Sequence, residues 1–184
     1  SFSLMFCALY SFQDELRYER NLILQGDYWR LLSAHFVHLN FIHLAMNLVG
    51  YWVFLVMCGH LFSLKQISLN IFILALGISL GLLLLQVDFQ WYLGFSGVLY
   101  GLLVLGSLHI ALREQFTLGA LIFSMLIFKL GLDTYTDQAS ASAQLIGAPV
   151  ATAAHVYGLI MGLLLSLPLL ASKLHLKNAS NNKK

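Results

Sequence analysis

Five apolar runs, at roughly 41–59, 69–86, 94–111, 117–132 and 150–171, are separated only by short charged or turn-rich stretches. A helix needs about 20 residues to cross a hydrocarbon core of ~30 Å, and shorter runs are tolerated at some mismatch. The pattern therefore predicts a stack of membrane-crossing helices. Composition agrees: 59% of residues are hydrophobic and only 10% charged, with a mean hydropathy of +0.80, whereas charged residues make up about 25% of a soluble domain. A shorter run at 1–12 is expected to be the end of a further helix trimmed upstream, which makes the fold class an all-α membrane protein, a bundle of six helices. A cleaved signal peptide is the competing reading, with no basic n-region or A-x-A site to support it. Residues 1–172 are expected to form one membrane domain, and 173–184 a polar, disordered cytoplasmic tail.

Loop charges set an expected orientation. If the runs alternate, Lys65, Arg113, Lys173, Lys177, Lys183 and Lys184 share one side and Arg17, Arg20 and Arg30 lie opposite. The side richer in Lys and Arg is cytoplasmic. Under that assignment His43 and Asn47 fall near the outer end of the second span, Ser96 at the outer end of the fourth, and His155 about five residues into the sixth. At ~1.5 Å rise per residue, all four come within roughly 10 Å of the outer interface. Polar groups in a lipid span are costly, so several that share a depth and can converge mark a functional site.

Their chemistry suits a serine hydrolase. Such a reaction needs a nucleophile, a base within hydrogen-bond reach and donors aimed at the developing oxyanion. Ser96 offers the first, and its place at a helix start brings backbone N–H groups and the positive dipole end to the reacting oxygen. His155 offers the base. His43 and Asn47, four apart, project from one helical face as donors to the same point. Asp88, Asp133 and Asp137 map to outer loops or span ends, so the expectation is a Ser–His dyad without a carboxylate, with Tyr100, one turn below Ser96, packing on His155. Gly97 and Gly101 in the fourth span, and Gly158, Gly162 and Ser166 in the sixth, repeat at four-residue spacing, which lets membrane helices pack backbone to backbone. Each feature alone has a plainer explanation: packing for the glycines, a bond to its own helix backbone for the serine, an interhelical hydrogen bond for the histidine. Their conjunction carries the reading.

Taken together, Trp29-Arg30, His38, His43 with Asn47, Gly94-Phe95-Ser96-Gly97, and Ala154-His155 followed by Gly158 and Gly162 resemble the rhomboid intramembrane serine proteases over nearly the whole chain and in family order. The resemblance implies Ser96 as nucleophile, His155 as base, and His43, Asn47 and the Ser96 N–H as the oxyanion hole, with Trp29-Arg30 in a first outer loop lying partly in the membrane. A narrower likeness is carried by residues 29–40, by Gly94-Phe95-Ser96-Gly97-Val98-Leu99, and by Ile146-Gly147-Ala148-Pro149-Val150 ahead of Ala154-His155-Val156-Tyr157-Gly158. These stretches look like the rhombosortase branch, although that branch has His where this chain has Tyr100. The likeness implies an inner-membrane enzyme with a periplasm-facing site. Its substrates would be exported, membrane-anchored proteins carrying C-terminal Gly-Gly-type tail helices, with transfer to a phospholipid-derived amine acceptor. A general rhomboid protease and a catalytically silent, helix-binding relative are the alternatives.

Lys129 and Asp133, four apart near the outer end of the fifth span, are expected to pair on one face. The plain reading is a snorkelling lysine with a stabilising partner; the functional one is a contact to the substrate's polar tail or to a lipid headgroup. The fifth span carries many bulky residues and few glycines, so it is expected to pack loosely and is a candidate lateral gate. Residues 13–33 mix Leu16, Tyr18, Tyr28 and Trp29 with charges, a pattern suited to the membrane interface. No His-Glu-x-x-His is present, so no metal or other cofactor is called for. A net charge of +2 gives no basic surface for nucleic acid. No internal repeat of the transporter kind is visible.

Overall fold

A computed structural model describes the backbone over residues 12–136 and 140–181, with side chains of the last helix described to residue 171 and at 173. The run at 1–12 lies outside the described residues, apart from Phe12. Three short helices, α1 (Gln13–Leu16), α2 (Arg20–Leu24) and α3 (Arg30–Ser33), and a 3-10 turn at Ala34–Phe36 form an outer segment, with a two-residue strand β1 (Tyr18–Glu19) after α1. Then come α4 (Phe41–Cys58), α5 (Leu64–Leu85), β2 (Trp91–Tyr92), α6 (Ser96–Arg113), α7 (Phe116–Thr136), the short α8 (Ala141–Ile146) and α9 (Thr152–Asn181). Among the described residues, α4 through α7 and the Thr152–Ala171 part of α9 are long and apolar enough to cross a membrane.

The helix boundaries follow local chemistry. α5 begins at Leu64, earlier than the apolar run at 69–86 suggested, because Ser63 and Gln66 close a reciprocal capping box that satisfies two orphan N–H groups. Asn40 caps α4 by accepting from the His43 N–H at 2.9 Å, which fixes where the His43 turn starts. α7 runs a turn beyond the expected 117–132 and so carries both Lys129 and Asp133 on helix. α9 stays helical to Asn181, through most of the stretch expected to be a disordered tail. Nothing between Lys173 and Asn181 breaks a helix, and Leu, Lys and Ala there favour one.

α6 is the centre of the bundle, with 61% of its span buried against 11% for α7. Against α9 the two backbones meet directly. A Cβ on Gly158 would collide with the Gly97 carbonyl oxygen, one on Gly162 would lie 2.6 Å from the Gly101 oxygen, and one on Gly97 2.9 Å from the Ala154 oxygen. The four predicted packing glycines are therefore one reciprocal seam. Gly101 also makes room for Leu74 of α5, so α5 joins the same contact. Among the described residues α7 buries Gly119, Ile122 and Asp133; against the loose packing expected of it, a Cβ on Gly119 would collide with the Ser107 carbonyl oxygen of α6.

The outer segment is tied down by polar bonds. β1 pairs antiparallel with β2, Tyr18 opposite Tyr92. The Arg20 guanidinium donates to the Leu83 carbonyl at 2.8 Å, at the end of α5. Arg30, buried, donates to Asp27 and to the Asp14 and Arg17 carbonyls, and Ser33 donates to the Leu16 carbonyl. One buried cation thus gathers three turns of a segment that has little regular structure of its own.

The glycine seam makes a contrast testable. Gly158→Ala should lower the unfolding midpoint in detergent micelles, by about 1–3 kcal/mol of stability, because the added methyl has backbone on its far side and no room to relax. Gly131→Ala on α7, where a Cβ meets nothing within 4 Å, should leave stability unchanged or raise it by roughly 0.5–1 kcal/mol. Equal effects at the two sites would refute the seam.

Candidate active site

Ser96 is the first residue of α6, following a sharp turn at Gly94. That glycine has φ +119°, a region that L side chains rarely adopt, and a Cβ there would stand 2.8 Å from His43 Nε2. So the glycine both turns the chain and clears space for the imidazole. The turn is held from outside: the Gly94 N–H donates to the Ala34 carbonyl at 2.9 Å, the Tyr92 hydroxyl to the Gly94 carbonyl, and the Arg20 N–H to the Gln90 carbonyl at 2.8 Å. The start of α6 leaves its first N–H groups without intrahelical partners.

His155 lies in the first turn of α9 and its Nε2 is 2.7 Å from Ser96 Oγ. Its Nδ1 is buried without a hydrogen-bond partner among the described residues. Asp88 is an exposed residue of the outer rim, Asp133 pairs with Lys129, and Asp137 lies outside the described residues. Tyr100 stacks on His155, ring centroids 4.5 Å apart and planes 24° off parallel. The imidazole is thus oriented by a ring face on one side and the serine on the other.

His43 and Asn47 reach the same place from α4. The Leu39 N–H approaches His43 Nδ1 at 3.4 Å, which leaves Nε2 as the protonated nitrogen facing the Gly94 turn. Asn47 is 3% exposed and its Nδ2 has no partner among the described residues, a donor left open in an apolar wall. His38 sits edge-on to His43, centroids 5.1 Å apart. Two cavities flank Ser96. The outer one, about 420 Å³, is formed by residues 88–93 and by the 146–151 loop. The inner one, about 210 Å³, lies between α4, α6 and α7. Lys129 and Asp133 pair at 2.6 Å, and Lys129 lines the inner cavity.

Ser96, His155, His43, Asn47 and Tyr100 therefore line one cavity, with Lys129 on its wall and Asp133 behind Lys129, facing a separate space. Residues 25–172 match the family model described as the Rhomboid domain. The chain belongs to the rhomboid family. It is also similar to the "Rhomboid protease GlpG" of Haemophilus influenzae, 29% identical over 144 residues that cover 76% of this chain and 68% of that protein. As a rhomboid, the chain is a multi-pass membrane protein.

Sequence reasoning missed how the rhomboid site is braced. His35, in the 3-10 turn, is completely buried with Nε2 2.9 Å from Ser79 Oγ of α5 and its ring edge-on to Tyr92, centroids 5.3 Å apart. Asn40 Nδ2 donates to the Ile146 carbonyl at 2.7 Å, linking the cap of α4 to the loop that roofs both cavities. A His with no polar neighbour in sequence carries no such signal, since Ser79 is 44 residues away.

Burial holds the outer-segment histidines neutral, pushing His35 and His38 down to about 3, with His43 adding to the effect on His38. An unfolded imidazole titrates near 6.5, so below that pH the unfolded chain takes up protons that the folded one refuses. Stability should be level above pH 7 and fall as the pH drops from about 6.5 towards 3. Replacing both partners of the buried pair, His35→Leu with Ser79→Ala, should flatten that slope by about one proton, ~1.4 kcal/mol per pH unit, in unfolding midpoints measured across pH 7.5–4.5. A slope identical to wild type would show that His35 is charged in the folded state.

Proposed function

We propose that this rhomboid is an intramembrane serine endopeptidase in which Ser96 and His155 act as a dyad. The observation that carries it is the 2.7 Å approach of Ser96 Oγ to His155 Nε2, made by two helices whose spacing is set by glycine contacts. Nε2 accepts the hydroxyl proton as Oγ attacks the scissile carbonyl. The negative charge that develops on the carbonyl oxygen meets the His43 Nε2–H, the Asn47 Nδ2–H and the Ser96 N–H, donors already in place and largely dry, where they are worth most. The C–N bond then breaks, His155 returns the proton to the leaving amine, and an ester to Ser96 remains. Water attacks that ester, gives its proton to His155, and frees the acid product and the serine.

Among the described residues no carboxylate lies behind His155 to support the imidazolium that forms. Tyr100 supports it instead: a ring face 4.5 Å from the imidazole is within the ~6 Å over which an aromatic face attracts a cation. The relative named a rhomboid protease supports the same activity. Within it, the matching stretches at 29–40, 94–99 and 146–158 favour the rhombosortase-like reading. By that reading the enzyme sits in a bacterial inner membrane with its site facing the periplasm and removes C-terminal Gly-Gly-type tail helices from exported proteins. The amine of a phospholipid-derived acceptor takes the place of water on the acyl ester. The excess of Lys and Arg at the opposite face supports that orientation.

The test is cleavage of an exported protein with a Gly-Gly, apolar and basic tail, in membranes with wild type or Ser96→Ala, read by mass spectrometry of the new C-terminus. Wild type should cut near the Gly-Gly and add the mass of the acceptor, and Ser96→Ala should lower the rate by at least 10³-fold, as loss of a nucleophile does. Ser96-dependent cleavage of a generic helix-destabilised span, with this tail untouched, would establish the protease and refute the tail specificity. Cleavage that survives Ser96→Ala would refute the dyad.

A further inference from the structure

The inner cavity shares a wall with a neighbour. Its floor is apolar, built from Met46, Leu99, Leu103 and Leu126. A second space of about 310 Å³ runs between the outer end of α7 and the start of α8. The residues that line both are Lys129 and Ser142, and Lys129 Nζ donates to Ser142 Oγ at 3.1 Å. A hydrogen-bonded polar pair is therefore the partition between the site and the groove beside it.

The ammonium of Lys129 has three donors and no acceptor. Asp133 Oδ2 at 2.6 Å and Ser142 Oγ take two, leaving one for whatever fills the cavity. The Asp133 side chain is 5% exposed, so the lysine charge is already matched by a buried carboxylate. A second carboxylate would face Asp133 across one cation, and an ammonium or guanidinium would face Lys129 itself. A neutral acceptor meets neither penalty. The Lys129 side chain is half exposed where it lines the cavity, so its third donor is open to whatever enters.

We propose that Lys129 is a specificity-determining residue that reads an uncharged side chain with an apolar stem and a hydrogen-bond acceptor at its tip, glutamine being the best fit. That side chain belongs to a substrate residue within two places of the scissile bond. This rests on the reading of Ser96 as the nucleophile and adds the chemistry of what its inner cavity accepts. The apolar stem lies on Leu99, Leu103 and Leu126, and the amide oxygen accepts from Lys129 Nζ.

The experiment uses the full chain in proteoliposomes and a substrate varied singly to Gln, Leu, Glu or Lys at the two residues on either side of the bond cut. At one position kcat/KM for Gln should exceed that for Leu by about tenfold or more, the range of a hydrogen bond from a charged donor, with Lys the poorest. Lys129→Met alone strands the Asp133 carboxylate. The double variant Lys129→Met, Asp133→Leu removes the pair together, a change that buried ion pairs tolerate, and should bring the Gln-to-Leu ratio to about one. A wild-type ratio near one at all four positions, which needs no variant, would overturn the proposal. A ratio preserved in a folded double variant would also overturn it. Cleavage of the whole set by Ser96→Ala at the wild-type rate would instead overturn the reading beneath it.

Discussion

The contact on which everything else depends is the backbone-to-backbone seam of Gly97 and Gly101 against Gly158 and Gly162. Ser96 and His155 come from helices 59 residues apart in sequence, and neither is linked to the other by any loop short enough to fix their distance. What fixes it is that α6 and α9 touch with no side chain between them. In lipid there is no hydrophobic drive to bring helices together, so close packing and hydrogen bonding must supply the association. A seam of glycines does that while setting the separation at backbone contact. The positional demand of an oxygen that must sit at hydrogen-bond distance from an imidazole is met by the same contact that holds the bundle.

The outer segment solves a second problem. α6 must begin abruptly at Ser96 so that its first N–H groups stay open, and an abrupt start in an exposed loop would fray. The β1–β2 pairing and the Ala34 carbonyl on Gly94 pin the loop ahead of α6 to two elements, and the His35–Ser79 bond ties the second of these to α5. Arg30 then holds the outer segment itself in shape by satisfying two of its carbonyls. A neutral buried histidine such as His35 suits this work, since it brings a directional bond without the large penalty of a buried charge.

The bundle was legible because it is written in long runs: five apolar stretches and a four-residue repeat of small residues need no knowledge of distant contacts. Ser96, His155, His43 and Asn47 were legible for a related reason, being polar groups at one depth. Boundaries were less so. The run beginning at 69 hid a start at Leu64, because a capping box is polar and the average over a window discounts it. The tail past Lys173 read as loop because it is polar, yet polar residues continue a helix as readily as apolar ones when nothing stops it. The bracing of the site was out of reach altogether: His35 with Ser79, Asn40 with the Ile146 carbonyl and Leu39 with His43 are pairings that only the folded chain brings about.

Tyr100 shows how one substitution of principle for another works at this depth. A carboxylate behind the base would stabilise the imidazolium strongly, but between turnovers it would be a buried anion near a neutral imidazole, which is costly in an apolar wall. An aromatic face carries no net charge at rest and attracts the cation only while it exists. It also restricts the ring to one plane, so Nε2 stays aimed at Ser96 while Nδ1, which has no partner, does not compete for another orientation. The ring that stacks on His155 thus sits on the same helix as Ser96, one turn away. His155 is on α9, so the relation of both residues to the imidazole depends again on the glycine seam that joins the two helices.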